Sequence, residues 1–367
     1  MELINATRMP AGYTLGTEPD GRERLVVAIK GTFQIPAEPG ALAALHEEQA
    51  PLELSDVFFG EPGLSAPKYE YDFAPRKARC DILLNAQAYA PGGRPAERVI
   101  VKARIGDWSK SFVAVGDRVW FVSGSVAATS PEPFTVMPLS YDHAFGGADL
   151  RHESQDQHAT FLANPAGTGF HKHLQKEWLE GSRLPNTEEF GVGVTTPDGH
   201  YRPMSFGALG RHWEPRCRYA GTYDQAWLDE RFPFLPADFN TDYYQAAPLD
   251  QQVDLPSGPL AVVLENLTPD GLCAFSLPFF EAPVHFVPKN ADPREVLATL
   301  DTVLVEPHLG RVMLTWRASW PLRRSLFEMD QVVVGRRTQV WWRRNDGLGF
   351  PIPIRVEPMR PRERSDG

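Results

Sequence analysis

Apolar and polar residues alternate with a period of two at both ends of the chain, and this pattern predicts β-strands there. In the stretch 98–105 every second residue is apolar, and most of the intervening residues are charged. Successive side chains of a strand point to opposite faces, so such a stretch is typical of a strand with one buried face. The Gly106-Asp107 pair that follows predicts a tight turn into a second strand over 108–115.

Further strand patterns, each bounded by glycine, proline or other turn residues, fall at 25–35, 80–89, 118–122, 260–264, 272–277, 284–287, 300–305, 311–319 and 331–336. The three strands between 98 and 122 are separated by Gly-Asp pairs and predict an antiparallel meander. Helical periodicity is scarce, and its candidates span only two or three turns, at 41–48, 171–180, 224–231 and 293–298. Many short strands in a chain with 34 prolines favour a mainly β fold, an antiparallel sandwich or open barrel, over βαβ units.

The middle of the chain, above all the stretch 137–227, has almost no periodic signal but is rich in aromatic residues and glycine. Disordered segments are poor in aromatic residues, so we expect this stretch to be ordered. We therefore divide the chain into an N-terminal β-rich domain over 1–136, an irregular segment over 137–257 that packs on the sheets, a C-terminal β-rich part over 258–345 and a basic tail over 346–367.

Composition is that of a globular protein, with 42% hydrophobic and 23% charged residues. The net charge of −10 argues against nucleic acid or an anionic membrane as the main partner. No apolar run is long enough to span a membrane, and the N-terminus lacks the pattern of a secretory signal, so we expect a cytoplasmic protein. The arginine-rich C-terminal end, with Trp341 and Trp342, leaves RNA or phosphate binding as an alternative to a solvated basic tail.

Motifs for catalysis and cofactors are missing: there is no GxSxG, Walker-type, HExxH or GxGxxG sequence, and we expect neither a cofactor nor a catalytic role. Two alternatives stay open. His171 and His173 with His152 or His158 would make a three-nitrogen metal site, although a helix at 171–180 would separate the two rings. Glycoside hydrolysis would need a carboxylate pair, for which the candidates are Asp224, Asp238 and Asp242.

A series of short motifs runs through the chain in a fixed order: LVVAIK ending at Lys30, DVFFGEPG from Asp56, VGDRVW from Val115, MPLSYDHAFGG from Met137, NPAGTGF from Asn164, W-x-x-R-x-x-x-A-G-T-Y-D-x-x-W from Trp213, LDTVLVEP from Leu300 and LTWRASWPL from Leu314. Each motif is weak alone, but the ordered set is specific. Together they resemble the family called domain of unknown function 2169, over nearly the whole chain.

The resemblance implies a bacterial cytoplasmic accessory protein of the type VI secretion system. Members of the family look like non-catalytic adaptors or chaperones that hold a toxin effector, often one with a PAAR-type tip domain, and help to load it onto the spike. The expected partners are therefore the effector and spike or PAAR-type proteins. Residues of the motifs for which we expect structural roles are Trp120, Phe145, Gly146, Gly147, Asn164, Arg216, Gly221 and Asp224.

Partner binding would use exposed strand edges or a groove lined by central aromatic residues. Trp178, Trp213 and Trp227 are the candidate anchors, because tryptophan is enriched at binding hot spots. For each of them the alternative is packing in the core. Two other functions remain as alternatives: a β-sandwich hydrolase acting on glycans, and a structural component of the secretion apparatus.

Overall fold

The structure, a computed structural model that describes residues 1–336, is built mainly from β-strands. In chain order they are β1 (Glu2–Asn5), β2 (Ala11–Thr17), β3 (Glu23–Gln34), β4 (Ala44–Leu45), β5 (Val57–Phe58), β6 (Pro67–Tyr69), β7 (Cys80–Leu84), β8 (Gln87–Tyr89), β9 (Arg98–Ile105), β10 (Trp108–Val115), β11 (Trp120–Ser123), β12 (Ser125–Ala128), β13 (Val136–Pro138), β14 (Phe145–Gly146), β15 (Ala148–Asp149), β16 (Ala159–Thr160), β17 (Thr168–Gly169), β18 (Thr187–Glu188), β19 (Gln252–Val253), β20 (Leu260–Glu265), β21 (Leu272–Leu277), β22 (Ala282–Pro288), β23 (Arg294–Glu306), β24 (Arg311–Pro321) and β25 (Met329–Val334).

Helices in the described residues are few and short. The α-helices are α1 (Lys176–Leu179), α2 (Glu214–Cys217) and α3 (Gln225–Glu230). The 3-10 helices are Pro91–Gly93, Tyr141–His143, Gln155–Gln157, Thr241–Tyr244, Leu249–Gln251, Pro307–Leu309 and Leu326–Glu328. The mainly β fold class predicted from the sequence is confirmed. The predicted basic tail lies outside the described residues.

Strands from both ends of the chain build the largest sheet. Its order is β1-β25-β22-β23-β24-β3-β2, with β4 on β3, β7 on β23 and β19 on β7, and it curls into a nearly closed barrel. The long strands β3 and β24 pair antiparallel along their whole length, from Gln34 opposite Arg311 to Arg24 opposite Pro321. The first strand, β1, lies parallel to the last described one, β25.

The second sheet also combines the two ends of the chain. Its order is β18-β10-β9-β20-β21, so that the hairpin of β9 and β10 pairs through β9 with the hairpin of β20 and β21. Residues 1–335 accordingly form one compact unit. The boundaries predicted at 136 and 257 mark changes of composition along the chain. Each of the two large sheets contains strands from before the first boundary and after the second.

Several of the predicted elements are confirmed, and three are wrong. Strands β9 and β10 have the predicted bounds and are joined at Gly106, which has a positive φ of 59°. The predicted meander fails at its third strand, because β11 pairs with β12 and the outer edge of β10 is taken by β18. The predicted helices at 41–48 and 293–298 are wrong: they contain β4 and the start of β23, where pairing with β3 and β22 outweighs weak local preference.

The main core lies between the two large sheets. Ile29, Val305 and Leu314 from the larger sheet, and Val101 and Phe112 from the smaller one, are buried in a single apolar cluster. In each strand the core residues are every second residue, as the period-two pattern predicts. The larger sheet therefore has one face in this core, and its other face is covered by residues from the stretch 50–77 together with parts of the middle segment.

Two motifs of the middle segment hold each other by close backbone contact. Asn164 is buried, and its side-chain amide donates to the carbonyl oxygens of Tyr141 and Phe145 at 2.9 and 3.1 Å. Gly146 has a φ of +153°, and a Cβ placed on it would lie 2.2 Å from the Asn164 carbonyl oxygen. Only glycine fits that space, so the irregular segment is fixed by specific contacts although it has little regular structure.

The substitution Gly146→Ala should lower the free energy of unfolding by at least about 2 kcal/mol, through backbone strain and steric overlap with Asn164. Gly258→Ala is the matched control, because a Cβ there meets no atom within 4 Å and its φ is not positive. Chemical denaturation measures both variants, and the control should stay within about 0.5 kcal/mol of the wild type. Equal effects of the two substitutions would contradict the close contact.

Candidate functional site

The outer face of the larger sheet is polar, yet it is covered. Lys30 of β3, Asp81 of β7 and Arg317 of β24 are all buried, although they lie opposite the apolar positions of their strands. Burying a charge is costly unless an opposite charge and hydrogen bonds compensate for it. Each of these residues must therefore have a partner supplied by the covering segments.

These residues and their partners form a cluster that we call the buried charge network. Its members are Lys30, Glu70, Asp72, Lys77, Asp81, Arg216, Asp301 and Arg317. Lys77 Nζ lies 2.6 Å from Asp81 Oδ2 and 3.1 Å from Glu70 Oε2. The pKa of Lys77 is held above its usual value, because Asp81 and Glu70 outweigh the effect of burial. The ammonium group of Lys77 thus stays charged and links the sheet to the segment that carries Glu70.

Asp72 connects the network to two more strands. Its carboxylate accepts from Lys30 Nζ at 2.9 Å, and its backbone carbonyl accepts from Arg317 Nε at 2.6 Å. Arg317 also pairs with Asp301, whose pKa is nevertheless raised, because burial outweighs the attraction of the guanidinium. The segment around Asp72 is therefore bound directly to β3 and β24, and Arg317 links it to Asp301 of β23.

Glu70 is the point at which the network reaches helix α2. It accepts from Arg216 of that helix, and Arg211 Nη2 lies 3.1 Å from the same oxygen. Burial acts to raise the pKa of Glu70, but Arg216, Lys77 and Arg211 outweigh it and hold the pKa well below its usual range. Arg216 also donates to the backbone carbonyl of Tyr243 at 2.8 Å, so it ties α2 to the segment that carries Glu70 and to the 3-10 helix Thr241–Tyr244.

The substitution Glu70→Gln should lower the free energy of unfolding at pH 7 by about 3–5 kcal/mol, because it leaves buried cations without their counter-charge. The unfolded chain protonates this carboxyl near pH 4.5, whereas the folded chain keeps it ionised at lower pH. Its contribution to stability is thus present above that pH and is lost as the pH falls.

Denaturation curves between pH 3 and pH 7 should therefore show the gap between wild type and Glu70→Gln closing below about pH 4.5. The control is Glu265→Gln, which removes one side of an exposed ion pair with Lys102 and should change stability little. A gap that stays constant over this pH range would contradict the assignment.

Beyond α2 the chain forms an exposed loop, residues 222–236, which we call the aromatic loop. It begins after Gly221, whose φ is +81°, and it is closed by Thr222, which donates from its N–H and its hydroxyl to the Asp238 carboxylate at 2.9 and 2.8 Å. Asp224 caps α3 by accepting from the backbone N–H of Trp227 at 2.9 Å. Such a cap stabilises a short helix that has little else to hold it.

The aromatic loop exposes most of its large apolar side chains. Helix α3 buries none of its residues. The exposed fractions are 54% for Tyr223, 50% for Leu228, 63% for Phe232 and 46% for Phe234. Trp227 is half-buried among them: its ring lies 4.8 Å from Tyr223 and 5.6 Å from Phe232, and its Nε1 donates to the Phe234 carbonyl at 2.8 Å. Apolar surface gathered in this way marks an interaction site more often than scattered residues do.

Residues 20–317 match the family described as "Uncharacterized protein conserved in bacteria (DUF2169)". The chain belongs to this family. No curated protein and no solved structure matches it. Among the residues that the structure describes, no helix has the length and apolar character needed to cross a membrane.

In this member of the DUF2169 family the three candidate tryptophans differ in how deeply their side chains are buried. Trp227 lies in the aromatic loop. Trp178 is half-buried beside His152 and His173, at 6.1 and 5.8 Å between ring centroids. Trp213 is only 1% exposed and packs edge-on against Tyr141 at 5.4 Å. A side chain so buried is not available to a partner, so for Trp213 the alternative of core packing applies.

The other motif residues of the family lie in the framework. Trp120 is fully buried and donates to the Gly169 carbonyl at 3.3 Å. Phe145 stacks edge-on against Phe161 at 5.1 Å, and Gly147 has a φ of +108°. Arg216, Gly221 and Asp224 shape the base of the aromatic loop, as described above.

The histidine metal site and the carboxylate pair for glycoside hydrolysis gain little support from the described residues. The rings of His152 and His173 lie 5.2 Å apart, but no group of three or more metal-ligating side chains is present in this part of the chain. His171 is buried, and its backbone N–H donates to the carbonyl of Pro197. The carboxylates of Asp224 and Asp238 accept hydrogen bonds within the aromatic loop, where they support its shape.

Sequence reasoning missed the exposed neighbours of Trp227: Tyr223, Leu228, Phe232 and Phe234. A signal was available, because Ala226, Trp227 and Leu228 are consecutive in a helix of six residues and therefore point in three different directions. One neighbouring surface cannot bury all three of them.

Proposed function

We propose that the protein is a non-catalytic cytoplasmic adaptor of the type VI secretion system, which holds a toxin effector and assists its loading onto the spike, through a PAAR-type tip domain where the effector has one. The observation that carries the proposal is the aromatic loop, an apolar cluster displayed on a helix with no buried residue. Enzymes need convergent reactive groups, whereas an adaptor needs a surface of this kind.

The charge of the aromatic loop indicates the chemistry of its occupant. Residues 222–236 include Asp224, Asp229 and Glu230, all exposed, against one basic residue, Arg231. Arg231 donates to the carbonyl of Pro19 at 2.8 Å and so faces the protein. The occupant is therefore an effector segment with apolar side chains flanked by lysine or arginine, and its binding weakens as salt rises.

The framework beneath the loop favours binding. Arg216 fixes α2 to Glu70, and Thr222 and Asp238 close the loop at its base. A surface that is already ordered before binding loses less conformational entropy when the partner arrives. The same framework thus explains why so much buried charge lies close to the proposed contact surface.

The double substitution Tyr223→Ala with Leu228→Ala should abolish co-purification of the effector encoded beside this protein's gene, or weaken binding at least about tenfold, because it removes exposed apolar contacts. Both side chains lie outside the core, so the fold and the thermal midpoint should stay unchanged. Phe327→Ala is the matched control: Phe327 is 83% exposed but lies outside the aromatic loop. Calorimetry or biolayer interferometry with the purified effector measures the affinities.

Two results would count against the proposal. If the wild-type protein retains neither the effector nor a spike protein, the adaptor function is contradicted. If the double variant binds the effector as tightly as the Phe327→Ala control, the contact surface is not the aromatic loop. Recovery of the protein at a fixed ratio in assembled spikes would instead indicate a structural component of the apparatus.

A further inference from the structure

A cavity of about 160 Å³ lies between β10 and the segments that carry α2 and the 3-10 helix Leu249–Gln251. For comparison, a cavity of about 150 Å³ is large enough for benzene. Its lining differs from that of an apolar void, because charged and hydroxyl groups face it: Lys110, Tyr141, Arg202, Arg216 and Asp250. The aromatic loop takes no part in it.

Lys110 stands on the inward side of β10, next to Phe112 on the same face, and is buried. Its Nζ donates to Gln251 Oε1 at 2.6 Å and lies 3.2 Å from Asp250 Oδ2. Gln251 uses its amide N–H groups on the carbonyls of Ile82 and Phe206, so its oxygen is the atom that faces the lysine. An ammonium group has three donors, and these contacts account for two of them.

The carboxylate of Asp250 serves two cations. Arg202 Nη2 lies 2.7 Å from Asp250 Oδ2, the same oxygen that Lys110 approaches. One negative charge therefore stands between two positive ones. Arg202 also pairs with Glu189, with 3.4 Å between Nη1 and Oε1, but that pair is exposed. Arg216, which also lines the cavity, is balanced separately by Glu70.

Tyr141 adds an unused donor. The residue is only 3% exposed, lines the cavity, and has no hydrogen-bond partner for its hydroxyl among the residues that the structure describes. Burial raises the pKa of Tyr141, the charge of Asp250 raises it further and Arg202 opposes the shift, so the hydroxyl stays protonated and lies near both charges. The Tyr141 hydroxyl can therefore donate to a ligand oxygen in the cavity.

We propose that this cavity binds a small oxyanion, a carboxylate or a phosphate, which accepts hydrogen bonds from Lys110, Arg202 and Tyr141. Hydrogen bonds from cationic groups to oxyanions are among the strongest in proteins, and the burial of Lys110 and Tyr141 strengthens those that they donate. The volume of about 160 Å³ fits a ligand, or the end of a ligand, with a few non-hydrogen atoms. The site is separate from the protein-binding surface, so either proposal can fail without the other.

Titration calorimetry of the full-length protein with acetate, succinate and inorganic phosphate tests the site and distinguishes carboxylate from phosphate. Tyr141→Phe and Arg202→Gln should each weaken the binding of the preferred anion about tenfold, since each removes one hydrogen bond to a charged group. Neither change disturbs packing, because phenylalanine keeps the ring and Arg202 is half exposed. The control is Lys102→Gln, an exposed cation outside the cavity, which should leave the affinity unchanged.

The dependence on pH gives a second readout. Burial lowers the pKa of Lys110 to about 8, against the opposing effect of Asp250 and with a further lowering by Arg202. Affinity should therefore hold below pH 8 and fall above it as the ammonium loses its proton, and Lys110→Met should remove this dependence. No binding of any of the three anions, or equal affinity in wild type, Tyr141→Phe and Arg202→Gln, would overturn the proposal.

Discussion

The pairing of buried charges on the outer face of the barrel-like sheet is the interaction on which the rest of the structure depends. Lys77 and Asp81 are in contact near β7, and Glu70 extends the chain of contacts to Arg216 of α2. Removing any one partner would leave the others charged in a medium of low dielectric constant. The long irregular segment is thus bound to the sheet by specific electrostatic contacts as well as by small apolar clusters.

This arrangement explains how a segment with so little regular structure can display surface groups in fixed positions. Arg216 holds α2 against Glu70 and the Tyr243 carbonyl, and the aromatic loop starts only a few residues later. Asp250 is held by Lys110 and Arg202 beside the proposed anion-binding cavity, which Arg216 also lines. The proposed protein-binding and anion-binding functions therefore share one framework without sharing residues.

Much of the fold could be predicted from period-two alternation, which places Val101 and Ile82 in the core and Asp81 on the opposite face. The pattern does not reveal that the polar face is also buried, because that depends on covering segments outside the strands. One of these segments carries Asp72, which accepts from Lys30, and another carries Gln245, which donates to Asp81. Nor could it reveal that 293–298 joins a strand, since pairing with β22 determines the conformation there. The proposed contact surface could be predicted only in part, because Trp213 and Trp227 look alike in sequence and only packing separates the buried ring from the half-buried one.

Hydrogen–deuterium exchange of the protein, alone and with its bound effector, tests the central claim most directly. Backbone amides of residues 222–236 should exchange more slowly in the complex, while those of strands β3 and β24 remain unchanged. Slower exchange confined to other surfaces, with the aromatic loop unaffected, would contradict the account.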